Sequence, residues 1–191
     1  MAKTRDYRAV LKGIATFGGI ALAIYLARRG VLSKDFTRAD LVRSATALRL
    51  GIAEQFEPPG FVIRAARRFA QKVLQPVANY SNLDIRITSW WRAARTNAAI
   101  PGSVSDSRHL KAEAVDWTAY KMGMRVNGLL AQAVIKSGVP FTKMILEYGS
   151  LANPQYIHLA YTPGDNRQIV LRKTSAGYST LTHDQVLSIA A

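Results

Sequence analysis

The chain has no cysteine in its 191 residues, which removes disulfides and thiolate metal ligands together. That absence does not indicate a compartment, since a cysteine-free protein suits oxidising and reducing surroundings alike. Acidic residues are scarce: 12 Asp and Glu stand against 26 Lys and Arg, for a formal net charge of +14. So basic a balance implies a polyanionic neighbour. The basic residues are spread along the chain and no recognised nucleic-acid motif accompanies them, so nucleic acid is not the expected partner. An anionic cell wall or membrane surface fits the charge as well. Internal repeats and low-complexity tracts are also missing, and histidine is reduced to three.

A long uncharged stretch occurs near the start, where Gly13 to Ala27 run for fifteen residues without a charge. Lys3, Arg5, Arg8 and Lys12 precede it and Arg28 with Arg29 close it. A bilayer-spanning helix wants about 20 apolar residues, so this one is short, although flanking Lys and Arg can snorkel. A signal-peptide hydrophobic region also fits, but no small-x-small cleavage site follows before Arg28. Residues 1–30 are therefore expected to form a hydrophobic helix serving as membrane anchor, export signal or packing segment. The chain is 49% hydrophobic overall, enough for one core. We expect one domain over residues 36–175 and a tail or short helix over 176–191.

Thr37-Arg38-Ala39-Asp40 resembles a capping box and predicts a helix with Leu41, Ala45, Leu48 and Ile52 on one face. Pro58-Pro59-Gly60 breaks the chain. A second helix is expected from about Phe61 to Asn79, with Val62, Ala66, Phe69, Val73 and Val77 inward and Pro76 kinking or ending it. A strand over 84–90 leads into Trp90-Trp91-Arg92, and a loop rich in Gly, Pro and Ser spans 96–108. A third helix covers 124–137. Strands follow near 141–148, 155–162 and 167–173, with a terminal helix over 182–190. Helices first and a mainly antiparallel sheet later predict an α+β fold.

His109 and Asp116 stand seven residues apart. On one helix they would share a face but lie about 10.5 Å apart along the axis, and on one strand they would point to opposite faces. Both reach one metal only if the chain turns between them, with Asp116 on a following strand. Ala112 to Trp117 suits that strand. His158, in the β-prone run Tyr156 to Tyr161, supplies a third ligand. Two imidazoles and a carboxylate leave an open position for water, as catalytic zinc sites do. Alone, His158 would more often be an ordinary core or surface histidine, and a buried Asp116 could equally be partnered by Arg92. His183 reads as a surface residue near a helix start.

At these residues the chain resembles the zinc D-Ala-D-Ala carboxypeptidases, the related D,D-dipeptidases and the phage L-alanyl-D-glutamate endopeptidases. Their S-x-H-x-x-G-x-A-x-D pattern is matched by Ser107, His109, Ala114 and Asp116, with Ala112 where glycine is usual. Ile87-Thr88-Ser89-Trp90-Trp91-Arg92 resembles the family's I-T-S-x-Y-R strand end, and Asn97 with Gly102 its N-x-x-x-G-G segment. Several short motifs in register over residues 36–162 are far more specific than one H-x(6)-D. The resemblance implies a Hedgehog or D,D-peptidase-like α+β fold, mainly an antiparallel sheet with flanking helices. It also implies a Zn2+ cofactor on His109, Asp116 and His158, and a peptidoglycan stem peptide as substrate. A wall-cutting enzyme with an N-terminal hydrophobic segment suggests bacteriophage lysis or entry, located in the periplasm, cell envelope or virion.

The general base has two candidate places. Many family members carry an acid three residues before the last histidine, and here that residue is Gln155, which cannot take a proton. Another branch carries a glutamate on the preceding strand, and Ile145-Leu146-Glu147 resembles it. Glu147 is therefore the expected base if hairpin pairing brings it near His158; otherwise it is an ordinary exposed strand residue. Arg92 is expected to clamp a substrate carboxylate, or else to pair with Asp116, Asp106 or Glu113. Ser107 is expected to donate a hydrogen bond to substrate or to a ligand. Of Trp90 and Trp91, which alternate across a strand, one (Trp91) is assigned to the cleft wall and the other to the core. Ala112 and Gln155 favour the competing expectation of a structural or virion protein that keeps the fold without turnover.

Overall fold

The backbone N–H and Oγ1 of Thr37 donate to Asp40 Oδ2 at 2.9 and 2.8 Å, opening helix α1 (Arg38–Val42). In the computed structural model, which describes residues 30–189, this helix ends early. Arg43 turns out of helical geometry (φ −59°, ψ 123°), and the Ser44 hydroxyl accepts from Ala47 N–H to start α2 (Ala45–Leu50). Restarting the helix resets its phase. Ala47 rather than Ala45 is buried, and Leu48 is 70% exposed, so the single-helix expectation fails at this cap.

The next helical run is continuous from α3 (Gly60–Phe69) through a π-turn (Ala70–Leu74) to α4 (Gln75–Ser81). Pro76 brings no N–H and its ring crowds the preceding turn. The wider π-turn just before it accommodates that misfit, and the helical run continues to Ser81. Val62, Ala66, Phe69, Val73 and Val77 are buried along one side, and Arg64, Arg67, Arg68 and Lys72 are exposed on the other.

The sheet comprises β1 (Asp84–Ser89), β2 (Ala114–Lys121), β3 (Met124–Arg125), β4 (Lys143–Gly149), β5 (Pro154–Ala160), β6 (Ile169–Thr174) and β7 (Gly177–Leu181). Its order is β1-β2-β5-β4-β6-β7, with β3 paired to β2. Every pairing is antiparallel except β4 with β6. A short α5 (Ala94–Ala98) runs into the start of the loop expected over 96–108, and α6 (Asn127–Lys136) links β3 to β4. The helix α7 (His183–Leu187) follows β7. The boundary expected at residue 175 cuts through the β6–β7 hairpin, so residues 177–181 belong to the sheet rather than to a tail. Gln132 on α6 donates to the carbonyls of Val186, Leu187 and Ile189, which fastens α7 as well.

Alternation along the strands separates two faces. Val115, Trp117, Met144, Leu146, Ile157 and Leu159 are buried on one face, in a core shared with Phe69, Leu130 and Val134. The other face carries Asp116, His158, Ile145 and Glu147. Asn127 locks α6 across the sheet end, accepting from Ala119 N–H and donating to the Pro154 and Gln155 carbonyls. Gly128 permits that contact, because a Cβ there would stand 2.2 Å from Ala152 O.

The chain parts into two units, Met1–Val31 and Leu32–Ala191, and the fold above is that of the second. The apolar run at 13–27 lies outside the described residues. Among the described residues, no helix is long and apolar enough to cross a membrane.

Candidate metal centre

His109 sits on a 3-10 turn (Arg108–Lys111) that delivers the chain into β2. Ser107 caps this turn, its Oγ accepting from His109 N–H at 3.4 Å. The Ser107 oxygen thus holds the histidine backbone as an acceptor, and its O–H is not used in that contact. Ala112 ends the turn in the left-handed region (φ 56°, ψ 25°). That is the conformation glycine adopts freely and alanine adopts at a cost of about 1 kcal/mol. The turn followed by a strand brings residues seven apart together, as their spacing required.

The Trp90-Trp91-Arg92 segment runs alongside and fixes the turn from below. Arg92 N–H donates to His109 O, Trp90 Nε1 to Ala112 O, and Trp91 Nε1 to Leu110 O. Trp90 is fully buried and packs edge-on against Phe69. Trp91 is also buried, at 5% exposure, so it does not wall a cleft as expected. The strand has already ended at Ser89, so the alternation argument does not apply to the two indoles.

His109, Asp116 and His158 converge, each offering a ligand atom within 4.8 Å of the others. Asp116 and His158 are direct cross-strand partners between β2 and β5. Asp116 Oδ1 lies 2.8 Å from His158 Nδ1 and 3.4 Å from His109 Nε2, with the two rings 5.2 Å apart. His109 Nδ1 lies 2.5 Å from Trp90 O, and a carbonyl can only accept. The hydrogen of a neutral His109 is therefore on Nδ1, and the Nε2 lone pair faces Asp116. Burial holds His109 below the ordinary imidazole pKa, against the pull of Asp116. A neutral imidazole lone pair then confronts a carboxylate oxygen with no proton between them, and a cation resolves that repulsion. The backbone carbonyl on the far nitrogen is the usual orienting partner of a ligand histidine. Ligand atoms about one tetrahedral zinc stand roughly 3.4 Å apart, so these three donors fit zinc with little adjustment.

Asp116 is further held by Arg92, whose Nη2 lies 2.6 Å from Oδ2 while its Nε donates to Ser89 Oγ at 2.9 Å. A register shift between Ile87 and Ser89 aligns Ser89 with Asp116. The guanidinium expected to clamp a substrate carboxylate thus spends two of its donor nitrogens inside the site. Burial would raise the pKa of Asp116, but His109 and His158, when protonated in acid, outweigh it and hold the carboxyl far below its usual range.

Glu147 lies in the adjacent row of the same face. Cross-strand partners Asp116, His158 and Ile145 form one row; Tyr156, Glu147, Lys173 and Tyr178 form the next. Rows two residues apart are separated by about 6.8 Å along the strands, and Glu147 stands on β4, the strand next to the one that carries His158. Gln155, one residue off this register, points to the other face and is exposed. It therefore cannot replace the missing acid. Glu147 itself is buried rather than exposed, at 7%. Tyr156 OH donates to its Oε2 at 3.0 Å and Lys173 Nζ lies 3.5 Å from the same atom. Tyr156, Lys173 and Ser89 escape sequence reasoning because only strand register places them here. His183 lies apart, its Nε2 3.2 Å from Gln168 O.

A family model described as Peptidase M15 matches residues 34–160, a span that contains His109, Asp116, Glu147 and His158. No curated protein matches the chain.

Proposed function

The chain belongs to the peptidase M15 family, and from that premise we propose that it hydrolyses peptidoglycan stem peptides at the His109–Asp116–His158 centre. Members of this family are zinc-dependent metallopeptidases, which makes hydrolase chemistry the general expectation. The observation that carries the reading is the convergence of those three side chains, with the His109 lone pair turned inward by Trp90 O.

Zinc bound here would polarise the scissile carbonyl and acidify water. The remaining work belongs to side chains. Glu147 accepts the proton of the attacking water and delivers it to the leaving amine. Arg92 acts through Asp116, fixing Oδ2 so that Oδ1 faces both imidazoles. Ser107 and the two tryptophans hold the His109 turn. Substrate recognition by Arg92 is left with Nη1, and the +14 net charge favours approach to an anionic wall.

The enzyme is placed by this reading in the periplasm, cell envelope or a phage virion, in lysis or entry, with residues 1–30 as anchor or export segment. Deleting residues 1–30 should leave a soluble, active peptidase that no longer fractionates with membranes; an unfolded product would make the segment part of the core. The main test is mass spectrometry of muropeptides from purified peptidoglycan, with and without a chelator. A chelator-sensitive change of one defined bond supports the proposal and also decides between endo- and carboxypeptidase action. A second reading, a structural or virion protein without turnover, is favoured by Gln155 and Ala112, which replace the acid and the glycine usual at these positions, and by the burial of Glu147. Zinc binding with unchanged muropeptides would select it.

A further inference from the structure

We infer that Lys173 is a positioning residue for the base: with Tyr156 it pins one oxygen of the Glu147 carboxylate and leaves the other to take the proton. The inference rests on the reading of Glu147 given above. Lys173 lies on β6, beyond the residues 34–160 that the family model matches. Parallel pairing of β4 with β6 sets Lys173 directly beside Glu147, and antiparallel pairing of β4 with β5 sets Tyr156 on its other side.

Both contacts fall on one atom. Tyr156 OH donates to Oε2 at 3.0 Å, and Lys173 Nζ stands 3.5 Å from it. Among the described residues, Oε1 accepts no hydrogen bond. A carboxylate held by neither group can swing about its last torsion and present either oxygen, whereas a hydrogen bond and an ion pair on the same Oε2 favour one setting of that torsion. Lys173 is itself held. Its Nζ lies 5.4 Å from the Tyr148 ring centre and 5.3 Å from that of Tyr178, its partner on β7. Tyr148 takes a positive φ of 53°, a conformation an aromatic residue adopts only under constraint from its surroundings. Burial opposes charge on Lys173, but the Tyr178 hydrogen bond and the Glu147 carboxylate outweigh it and raise its pKa above the ordinary value. The ammonium is therefore a permanent charge beside the base, with 29% of its side chain exposed. The hairpin that carries it lies outside the family-matched segment and meets the base through this side chain.

The test compares zinc-loaded wild type, Lys173→Met, Lys173→Gln and Lys173→Arg on purified peptidoglycan. Loss of the clamp should lower kcat about ten- to a hundredfold, as misplacing a reacting group by about 1 Å does, with KM nearly unchanged. Arginine keeps the charge and should restore most of the loss; Lys173→Gln serves if the methionine variant does not fold. Unchanged kcat in the neutral variants, or no rescue by arginine, overturns the inference. A second readout needs no turnover. Urea midpoints of the metal-free protein in a Glu147→Gln and Lys173→Met cycle should be non-additive, and strict additivity overturns the clamp. Absence of any wild-type hydrolysis would remove the proposed function while the cycle still reports on the contact.

Discussion

Asp116 holds a guanidinium on one oxygen and faces two imidazoles with the other, so the buried Arg92 and any metal on the imidazoles depend on its charge. Asp116→Asn should abolish zinc retention after dialysis, read as metal content. It should also destabilise the metal-free protein by about 3 kcal/mol in urea titration, because Arg92 is left buried without its counter-charge. Near-normal metal content in that variant would remove Asp116 from the ligand set. Ala112 gives a prediction of opposite sign. Its left-handed backbone is easy for glycine, so Ala112→Gly should stabilise the protein by up to about 0.5 kcal/mol after allowing for the greater freedom of glycine in the unfolded chain. A destabilised glycine variant would show that the methyl packing at this buried position matters more than the strain. The ligand residues were legible as residue types and spacings. The φ of Ala112 was legible only through the glycine that the resembling family carries there.

At the scale of elements, the β4–β5 hairpin is what makes Glu147 a candidate base. Glu147→Gln should lose hydrolysis, retain zinc and keep its unfolding midpoint within about 1 kcal/mol of wild type, since a neutral amide still accepts from Tyr156. Hydrolysis at the wild-type rate would exclude Glu147 from the chemistry. The strands were largely readable from alternation: β1, β4, β5 and β6 fall within a few residues of their expected places. Elements that were not readable include β3 and α5, and two others escaped for different reasons. The break between α1 and α2 depends on Ser44 capping a new turn within an otherwise continuous helical pattern. The strand β7, Gly-Tyr-Ser-Thr-Leu, is mostly exposed and lacks a hydrophobic period, and is a strand because β6 offers it an edge. Deleting residues 176–191 should therefore lower the melting temperature rather than trim a tail. It removes the β7 ladder and frees Gln132 from three carbonyls. An unchanged melting temperature would restore the tail assignment.

For the molecule as a whole, charge and burial make stability fall with acid. His109 has a lowered pKa when folded, so below about pH 6.5 the unfolded chain binds a proton that the folded one refuses. Stability of the metal-free protein should rise with pH through that window. Asp116 has a lowered pKa when folded, so its contribution is present above about pH 4 and is lost as pH falls below that. Both act in one direction, and the +14 net charge grows further as carboxylates protonate. Melting temperatures should rise from pH 4 to about pH 6.5 and gain nothing further from these two groups above it, and a maximum near pH 5 would contradict the assignment of a buried neutral His109.

The sequence alone determined which chemistry is available here: no thiolates, three histidines, one Ser-x-His to Asp spacing that demands a turn before a strand, and a downstream β-prone histidine. Those are local facts, set by residue type and by the periods of helix and strand. Only the tertiary structure decided how the groups are used. Arg92 faces Asp116, both tryptophans lie beneath the His109 turn, Gln155 points away from the site, and Lys173 and Tyr156 meet on Glu147. Each of these depends on pairing between segments tens of residues apart, and register shifted by one residue would send every side chain to the other face. That dependence on long-range register places them beyond the reach of composition, spacing or local pattern.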